Sequence, residues 1–459
     1  MATILSHAGI TTTSCDNSGE ERENHPMSPP LHTATTYTRP PDGIYKDSDS
    51  IYARMDNPTR LLLEKNIFDL ECTNLLYRYR KNKDDDDDEK KRDNDDNGTR
   101  IPLLPLLCTT TTTCYSSGMQ AVTSILLAHS SSPTNMTVLI PTDVYHGVRS
   151  LLSGVFSRHG IHVRGINMSS SGGNEEDIHN HDHNHDLHNI IVWMETPSNP
   201  KCEVVDIKTV CDKVRSVGER WKNVIKITTV VDGTMSSPVL TRPLELGADI
   251  SFHSGTKYLA GHSDALIGTV TVSPTSHRGR TLHPLIKAVQ ISSGGVASPW
   301  DSWLTLRGMR TLHLRVERQC QSAMKLADYL EEKRIKTTIS GVWAVHYPGL
   351  PSHPQHDVAT KQMNNGYGGV LSFELEDEIA ATAFAGAVRI AQRATSLGGT
   401  ETLIEHRASI EPPDQRTSPP GLLRVSVGLE DVNDLIHDFD TAFAIVKQVL
   451  SSSSSSSSG

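Results

Sequence analysis

Lys257 follows Ser254, Gly255 and Thr256 in the run Ser251-Phe-His-Ser-Gly-Thr-Lys257-Tyr-Leu-Ala-Gly-His262. A primary amine held there can form a Schiff base with an aldehyde, and the hydroxyls of Ser254 and Thr256 can hold a phosphate beside it. That pairing points to pyridoxal 5'-phosphate (PLP) chemistry on amino acids. Such chemistry needs more: an anion for the pyridine nitrogen, a surface against the ring, donors for the phosphate and a cation for the substrate carboxylate. A lone lysine after Ser-Gly-Thr reads better as a surface residue, so the other groups decide.

Each has a candidate. Asp232 ends the strand-like run Thr229-Val-Val231, where α/β sheets place ligands. A carboxylate there can keep a pyridinium protonated; its bland reading is a turn or capping aspartate before Gly233. Tyr115-Ser-Ser-Gly-Met119 leads into a helical run, Gln120 to His129, so the amides of Gly118 and Met119 can face an anion. An ordinary serine N-cap explains the same residues. Tyr145, in Asp143-Val-Tyr-His-Gly147, can stack on the ring and act on the leaving group, or be a core or interface tyrosine. Arg424 interrupts the apolar run Leu422 to Leu429. Burying it is costly without an anion, which a substrate carboxylate or a structural salt bridge would supply.

The elements that must position these groups follow an α/β pattern. Val138–Ile140, Ile190–Met194, Ile227–Val231 and Ile267–Val272 read as buried strands, alternating with helical spacing at Gln120–His129 and Val204–Val217. This predicts a mostly parallel sheet. Residues 305–333 read as one or two helices leading to a smaller unit, with strands at Gly369–Leu375 and Leu423–Val427 and helices at Ile379–Arg393 and Val432–Leu450. Two polar stretches read as insertions. Residues 78–100 contain Asp84 to Asp88, and residues 169–188 contain His179, His181, His183, His185 and His188. The alternating histidines could chelate a transition metal, but a solvated insertion is the simpler reading, and no metal is assigned. The serine tail from Ser451 to Gly459 is expected to be disordered.

At 459 residues the chain can bury a sizeable core, and its net charge of -10 argues against a general nucleic-acid binder. No apolar run approaches the roughly 20 residues that span a bilayer. Met1 to Ser14 lacks the basic start and apolar core of a secretory leader, and no arginine precedes Arg22. Cys15, Cys72, Cys108, Cys114, Cys202, Cys211 and Cys320 form no CxxC pair, which suits free thiols in a reducing compartment. Cys108 and Cys114 could be ligands, but buried small residues are the simpler reading. A cytoplasmic location is expected.

In order along the chain stand Tyr52-Ala-Arg-Met-Asp-Asn-Pro-Thr59, Ser117-Gly-Met119, Asp143-Val-Tyr145, Glu195-Thr-Pro-Ser-Asn-Pro200 and Val231-Asp-Gly-Thr234. Ser254-Gly-Thr-Lys-Tyr258 with Gly261-His-Ser-Asp264, Ser396-Leu-Gly-Gly399 and Arg424-Val-Ser-Val-Gly-Leu-Glu430 complete the set. Together they resemble the trans-sulfuration family of PLP enzymes: cystathionine γ-synthase, γ-lyase and β-lyase, methionine γ-lyase and the homoserine sulfhydrylases. The resemblance runs from about Ser6 to Val449. It implies the type I, aspartate aminotransferase-like fold, with a mostly parallel large-domain sheet and a smaller α+β C-terminal domain. The division it implies is an arm at 1–60 reaching a neighbouring subunit, a PLP domain at 61–300, a small domain at 301–450 and the tail at 451–459. It further implies a homotetramer, a dimer of dimers, in which Tyr52 and Arg54 bind the phosphate in the partner's site. Asn199 would lie near the cofactor's O3' and the substrate carboxylate, Ser396 and Arg424 would hold that carboxylate, and Lys257 would carry the cofactor.

Two departures stand out. Gly233 replaces a frequent family asparagine, which predicts a looser turn after Asp232, and Thr395 stands where many γ-synthases and γ-lyases have glutamate. The expected activity is making or breaking the C–S bond of cystathionine at its γ or β carbon. Methionine γ-lyase or O-acylhomoserine sulfhydrylase activity is the alternative. A non-catalytic PLP-fold binding protein is the contrary reading, against which the full set of Lys257, Asp232, Tyr145 and Arg424 argues.

Overall fold

A computed structural model describes residues 5, 27–44, 50–75, 93–94, 100–101, 110–129, 136–168, 188–222, 224–336, 341–411 and 416–456. Seven strands form the larger sheet: β1 Thr112–Tyr115, β2 Met136–Pro141, β3 His162–Ile166, β4 His188–Glu195, β5 Ile225–Asp232, β6 Ile250–Ser254 and β7 Gly268–Val272. Their order is β1-β7-β6-β5-β4-β2-β3, with β7 antiparallel to its two neighbours and the other pairings parallel. The predicted mostly parallel sheet is present. The Ile267–Val272 run is its antiparallel member.

Alternation along the strands feeds two apolar layers. Trp193 and Ile191 of β4 face one side with Val138, Val230 and Phe252, while Ile190, Val192 and Met194 face the other. Helix α1 spans Pro58–Glu71, capped by the Asn57 side chain, which accepts the amides of Thr59 and Arg60. Helix α2, Gly118–His129, covers the first face through Val122, Ile125 and Leu126. Helix α3, Ile207–Arg220, covers the second through Val210, Cys211, Val214 and Val217. It starts three residues later than its spacing suggests, because Asp206 accepts the Thr209 amide and so fixes the first turn there. Helix α4, His277–Ser293, returns to the α2 side.

The predicted helical region 305–333 is two helices, α5 Pro299–Met309 and α6 Leu312–Lys336. They lead to a five-stranded sheet of β8 Val342–His346, β9 Val370–Leu375, β10 Gln392–Arg393, β11 Leu403–His406 and β12 Leu422–Ser426, ordered β8-β9-β12-β11-β10. Helix α7, Glu378–Ala387, is shorter than the expected 379–393. The Asp438 carboxylate accepts the amides of Arg389, Ile390 and Ala391, which draws the chain out of the helix before β10. Helix α8 runs from Val432 to Ser456, so the helix continues into the serine run, and 457–459 lie outside the described residues.

Of the insertion at 78–100 and its flank, Asp93–Asn94 paired antiparallel with Arg100–Ile101 is described. His179, His181, His183 and His185 lie outside the described residues. His188 does not belong to a polar insertion: it begins β4, pairs with Ile225, and its Nε2 meets the Thr137 hydroxyl at 2.9 Å. Cys72, Cys114, Cys202, Cys211 and Cys320 are buried free thiols, while Cys15 and Cys108 lie outside the described residues. No helix among the described residues is long and apolar enough to cross a membrane.

Candidate active site

The C-terminal ends of β4, β5 and β6 open onto a cavity of about 430 Å³, closed on the other side by the five-stranded sheet. Gly118, Met119, Tyr145, Asn199 and Asp232 line it, as do Ser254, Thr256, Lys257, Ser396 and Arg424. Tyr52 and Arg54 do not line the cavity of their own chain. Tyr52 is 44% exposed, and Arg54 donates to the carbonyl of Ile291 at the end of α4.

Asp232 is the last residue of β5, and its register partner on β4 is Glu195. Two buried carboxyls at neighbouring strand ends raise each other's cost of ionisation. Burial pushes Asp232 above the usual carboxylate range, although hydrogen bonds from Thr234 and the charge of His253 pull the other way. Burial, and next the charge of Asp232, push Glu195 up further. Glu195 also builds the site, because its two oxygens accept the backbone amides of Tyr145 at 2.8 Å and Asn199 at 2.9 Å. The turn from Glu195 to Pro200 that it organises contains two cis X–Pro bonds.

The turn after Asp232 is not looser for having Gly233. Its amide donates to the Phe252 carbonyl at 3.0 Å, and its own carbonyl accepts from Ser236 and Ser237. A Cβ at 233 would lie 2.9 Å from Cε1 of His253. That imidazole is held by the buried Glu71 carboxylate at 2.5 Å, so it is not free to move aside. Glycine here leaves room for the buried His253–Glu71 pair behind Asp232.

At the opposite end, α2 begins at Gly118, and Gly118 and Met119 of its first turn, where a helix offers amides without intrahelical partners, line the cavity. A Cβ on Gly118 would come within 3.3 Å of the Ser254 Cβ and hydroxyl, so a glycine keeps this end open. The Ser117 hydroxyl caps the helix by accepting the Gln120 amide. The Thr256 hydroxyl is already engaged, donating to the Ile267 carbonyl and accepting its amide. The cavity lining at this end carries no arginine among the described residues.

Lys257 reaches between these ends. Its Nζ lies 2.7 Å from the Ser396 hydroxyl. Burial, and next the charge of Arg424, lower its pKa to about 8, while Glu405 opposes the shift. Ser396 holds φ at +93°, a strained conformation for a residue with a Cβ. Two contacts sustain it: its carbonyl accepts from Arg424 at 2.8 Å, and the following Gly398 amide is held by the Ser426 hydroxyl. Arg424 also donates to the Asn199 side chain at 3.0 Å and pairs with Glu405 at 2.7 Å. Burial raises the pKa of the Tyr145 phenol, which keeps it protonated, against a lowering influence from Arg407.

Glu195, Glu405 and Arg407 are ionisable lining residues whose roles the sequence did not disclose. Glu195 stood inside the Glu195–Pro200 motif without a role, and its position at a strand end was the available signal. Glu405 answers the demand of Arg424 for an anion, a demand that the apolar run around Arg424 did announce.

A group with an aldehyde, a basic ring nitrogen and a phosphate fits this donor set: one amine, one buried carboxyl and one open helix N-terminus. Lys257 would hold the aldehyde carbon, Asp232 the ring nitrogen, and Gly118, Met119 and Ser254 the phosphate. The profile of the Cys/Met metabolism PLP-dependent enzymes matches residues 103–444. A cystathionine gamma-lyase from Bacillus subtilis is 32% identical over 447 residues, covering 96% of this chain and 98% of that enzyme. A cystathionine beta-lyase from Coxiella burnetii is 33% identical, covering 90% of this chain and 92% of that enzyme. The crystal structure of cystathionine gamma synthase from Xanthomonas oryzae pv. oryzae, in complex with aminoacrylate and cysteine, superposes with a TM-score of 0.75 at 28% identity, covering 97% of this chain and 98% of that one. Fold, donor set and these likenesses agree, and the chain belongs to the Cys/Met metabolism family of PLP-dependent enzymes, the trans-sulfuration group of the type I fold.

Proposed function

We propose that the protein cleaves or forms the C–S bond of cystathionine at its γ or β carbon. The observation that carries this reading is the convergence on Ser396, whose hydroxyl meets the Lys257 amine while its carbonyl meets the Arg424 guanidinium. An amino acid whose carboxylate is held by Arg424 and Asn199 would therefore present its Cα to Lys257.

PLP, when bound, supplies the electron sink that makes a Cα–H bond acidic. The chain's own residues do the rest. Asp232 provides the anion for the ring nitrogen. Lys257, with a pKa near 8, is suited to take a proton from Cα near neutral pH and to return one at a neighbouring carbon. Tyr145 stays protonated and can give its proton to the departing sulfur as the C–S bond breaks. In the γ reaction Lys257 also moves a proton at Cβ before the thiol leaves.

The proposal includes a cytoplasmic homotetramer in which Tyr52 and Arg54 complete the phosphate end of a neighbour's site. The exposure of Tyr52 and the absence of arginine from that end of the described lining support it. Incubation with cystathionine, and separately with an acylated homoserine plus cysteine, followed by product identification, tests the reaction. Thiol and keto acid from cystathionine support a lyase, whereas cystathionine from the second mixture supports a γ-synthase. If the PLP-loaded enzyme forms neither, the reading fails.

A further inference from the structure

Arg407 is a charged group of the cavity for which neither the Lys257 chemistry nor the α-carboxylate has a use. It opens the Arg407–Ser409 turn after β11, is 3% exposed, and lines the cavity together with Tyr145, His146, Thr395 and Ile410. One terminal nitrogen pairs with Glu405 at 2.9 Å, and the other reaches Glu411 only at 3.5 Å. Its Nε is buried without a hydrogen-bond partner.

Both carboxylates are committed elsewhere. Glu411 accepts the amides of Thr417 and Ser418 and the Ser418 hydroxyl. Glu405 is shared with Arg424. Two guanidiniums thus divide one carboxylate on this wall, and a buried guanidinium with unmet donors favours another anion. Position says which part of a ligand would supply it. Arg424, Asn199 and Ser396 form the α-carboxylate end, whereas Arg407 stands beside Tyr145 and His146, where the leaving arm would lie. The charge of Arg407 is felt at both of these residues. Thr395 on the same wall adds no charge of its own.

We propose that Arg407 binds a second carboxylate at the far end of the substrate's departing arm, and so selects amino acids whose β or γ substituent ends in a carboxylate over those with an uncharged arm. The inference rests on the C–S reading above, in which Tyr145 faces the leaving group.

The test compares cystathionine with its distal carboxamide, which differs only in that carboxylate. Each is titrated calorimetrically into PLP-loaded K257A enzyme, where turnover does not obscure binding. A charge-assisted contact predicts that cystathionine binds about ten- to a hundredfold more tightly. The ratio should fall to near one when R407M/E411Q is added. That pair removes the guanidinium together with one carboxylate partner, and so avoids leaving Glu411 as an unpaired buried charge. R407K, which keeps the charge but not the fork, should give an intermediate ratio. A ratio near one with Arg407 present overturns the inference without need of any Arg407 variant. So does an unchanged ratio in the folded double variant, or an equal loss of both ligands, which would mark Arg407 as serving only the shared end or the fold. Failure of the C–S reading shows separately, as wild-type enzyme that releases no thiol or keto acid from cystathionine while the binding preference persists.

Discussion

Glu405 and Arg424 face each other across antiparallel β11 and β12, and their side chains meet at 2.7 Å deep in the cavity wall. The pair is a consequence of register, since residues opposite each other in such a ladder stand within reach. It gives Arg424 a permanent partner while leaving Ser396 and Asn199 to align the guanidinium. Glu405 also raises the pKa of Lys257 against burial and Arg424.

That opposition gives a pH prediction. The buried Lys257 amine has its pKa lowered to about 8. Below that value it is protonated and cannot attack an aldehyde. Above it the neutral amine accumulates. The rate at which cofactor-free enzyme captures PLP should therefore rise through about pH 8. In E405Q the inflection should move to lower pH, because an opposing charge is lost. The same shift affects stability: the native state binds fewer protons than the unfolded state between about 8 and the ordinary lysine value of about 10.5, so this group's unfavourable contribution is relieved as pH rises through that window. Stopped-flow absorbance against pH checks the first part, and an inflection unmoved by E405Q would contradict the role given to Glu405.

Replacing Lys257 by alanine should reduce turnover by about a hundred- to ten-thousandfold, the usual contribution of a positioned proton-transfer group, or more where the amine also holds the cofactor. Steady-state kinetics on PLP-saturated K257A is the measurement. Wild-type rates in that variant would remove Lys257 from the chemistry.

Much of this site was readable because each part is local. Lys257, Asp232, Tyr145 and Gly118 each sit in a short run whose turn residues or strand end mark it, and those runs line one cavity at the sheet's edge, where α/β sheets place ligands. What joins the runs was not readable. Glu405 reaches Arg424 through strand pairing, and Glu71 reaches His253 across 182 residues of sequence, both set by tertiary packing. Gly233 illustrates the difference. Alone it suggested a loose turn, but the space it leaves is filled by His253. The end of α7 was misplaced for a similar reason, because the competing acceptor, Asp438, lies on another helix.

The filled space at Gly233 is itself testable. A methyl group there would press on His253, and such overpacking costs about 1–3 kcal/mol. G233A should lower the unfolding midpoint in urea accordingly. In an H253A background the same change should cost little, because the atom it strikes is gone, and the two effects should be strongly non-additive. Additive losses would show that His253 is not what demands glycine.

Tyr145 as proton donor predicts a dependence on the leaving group. Thiolates need a proton as they depart, whereas chloride does not. Y145F should therefore slow elimination from cystathionine by about a hundredfold or more while slowing elimination of chloride from β-chloroalanine much less. Parallel losses for both substrates would instead assign Tyr145 to holding the cofactor, with no part in proton transfer.

Sites completed by a neighbour predict complementation between inactive variants. R54A removes the proposed phosphate contact given to the partner, and K257A removes the amine at home. Each should be nearly inactive alone. In a two-fold dimer that exchanges these contacts, a hybrid of the two has one site with both defects and one with neither. Unfolded and refolded together in equal amounts, the chains should recover about a quarter of wild-type activity, because half the dimers are hybrids and each has one intact site. Mixing without refolding should recover none if the subunits do not exchange. Absence of recovery in a refolded mixture that shows hybrids by mass would mean that Arg54 acts within its own chain, and the position of its guanidinium against the Ile291 carbonyl would then be its working place.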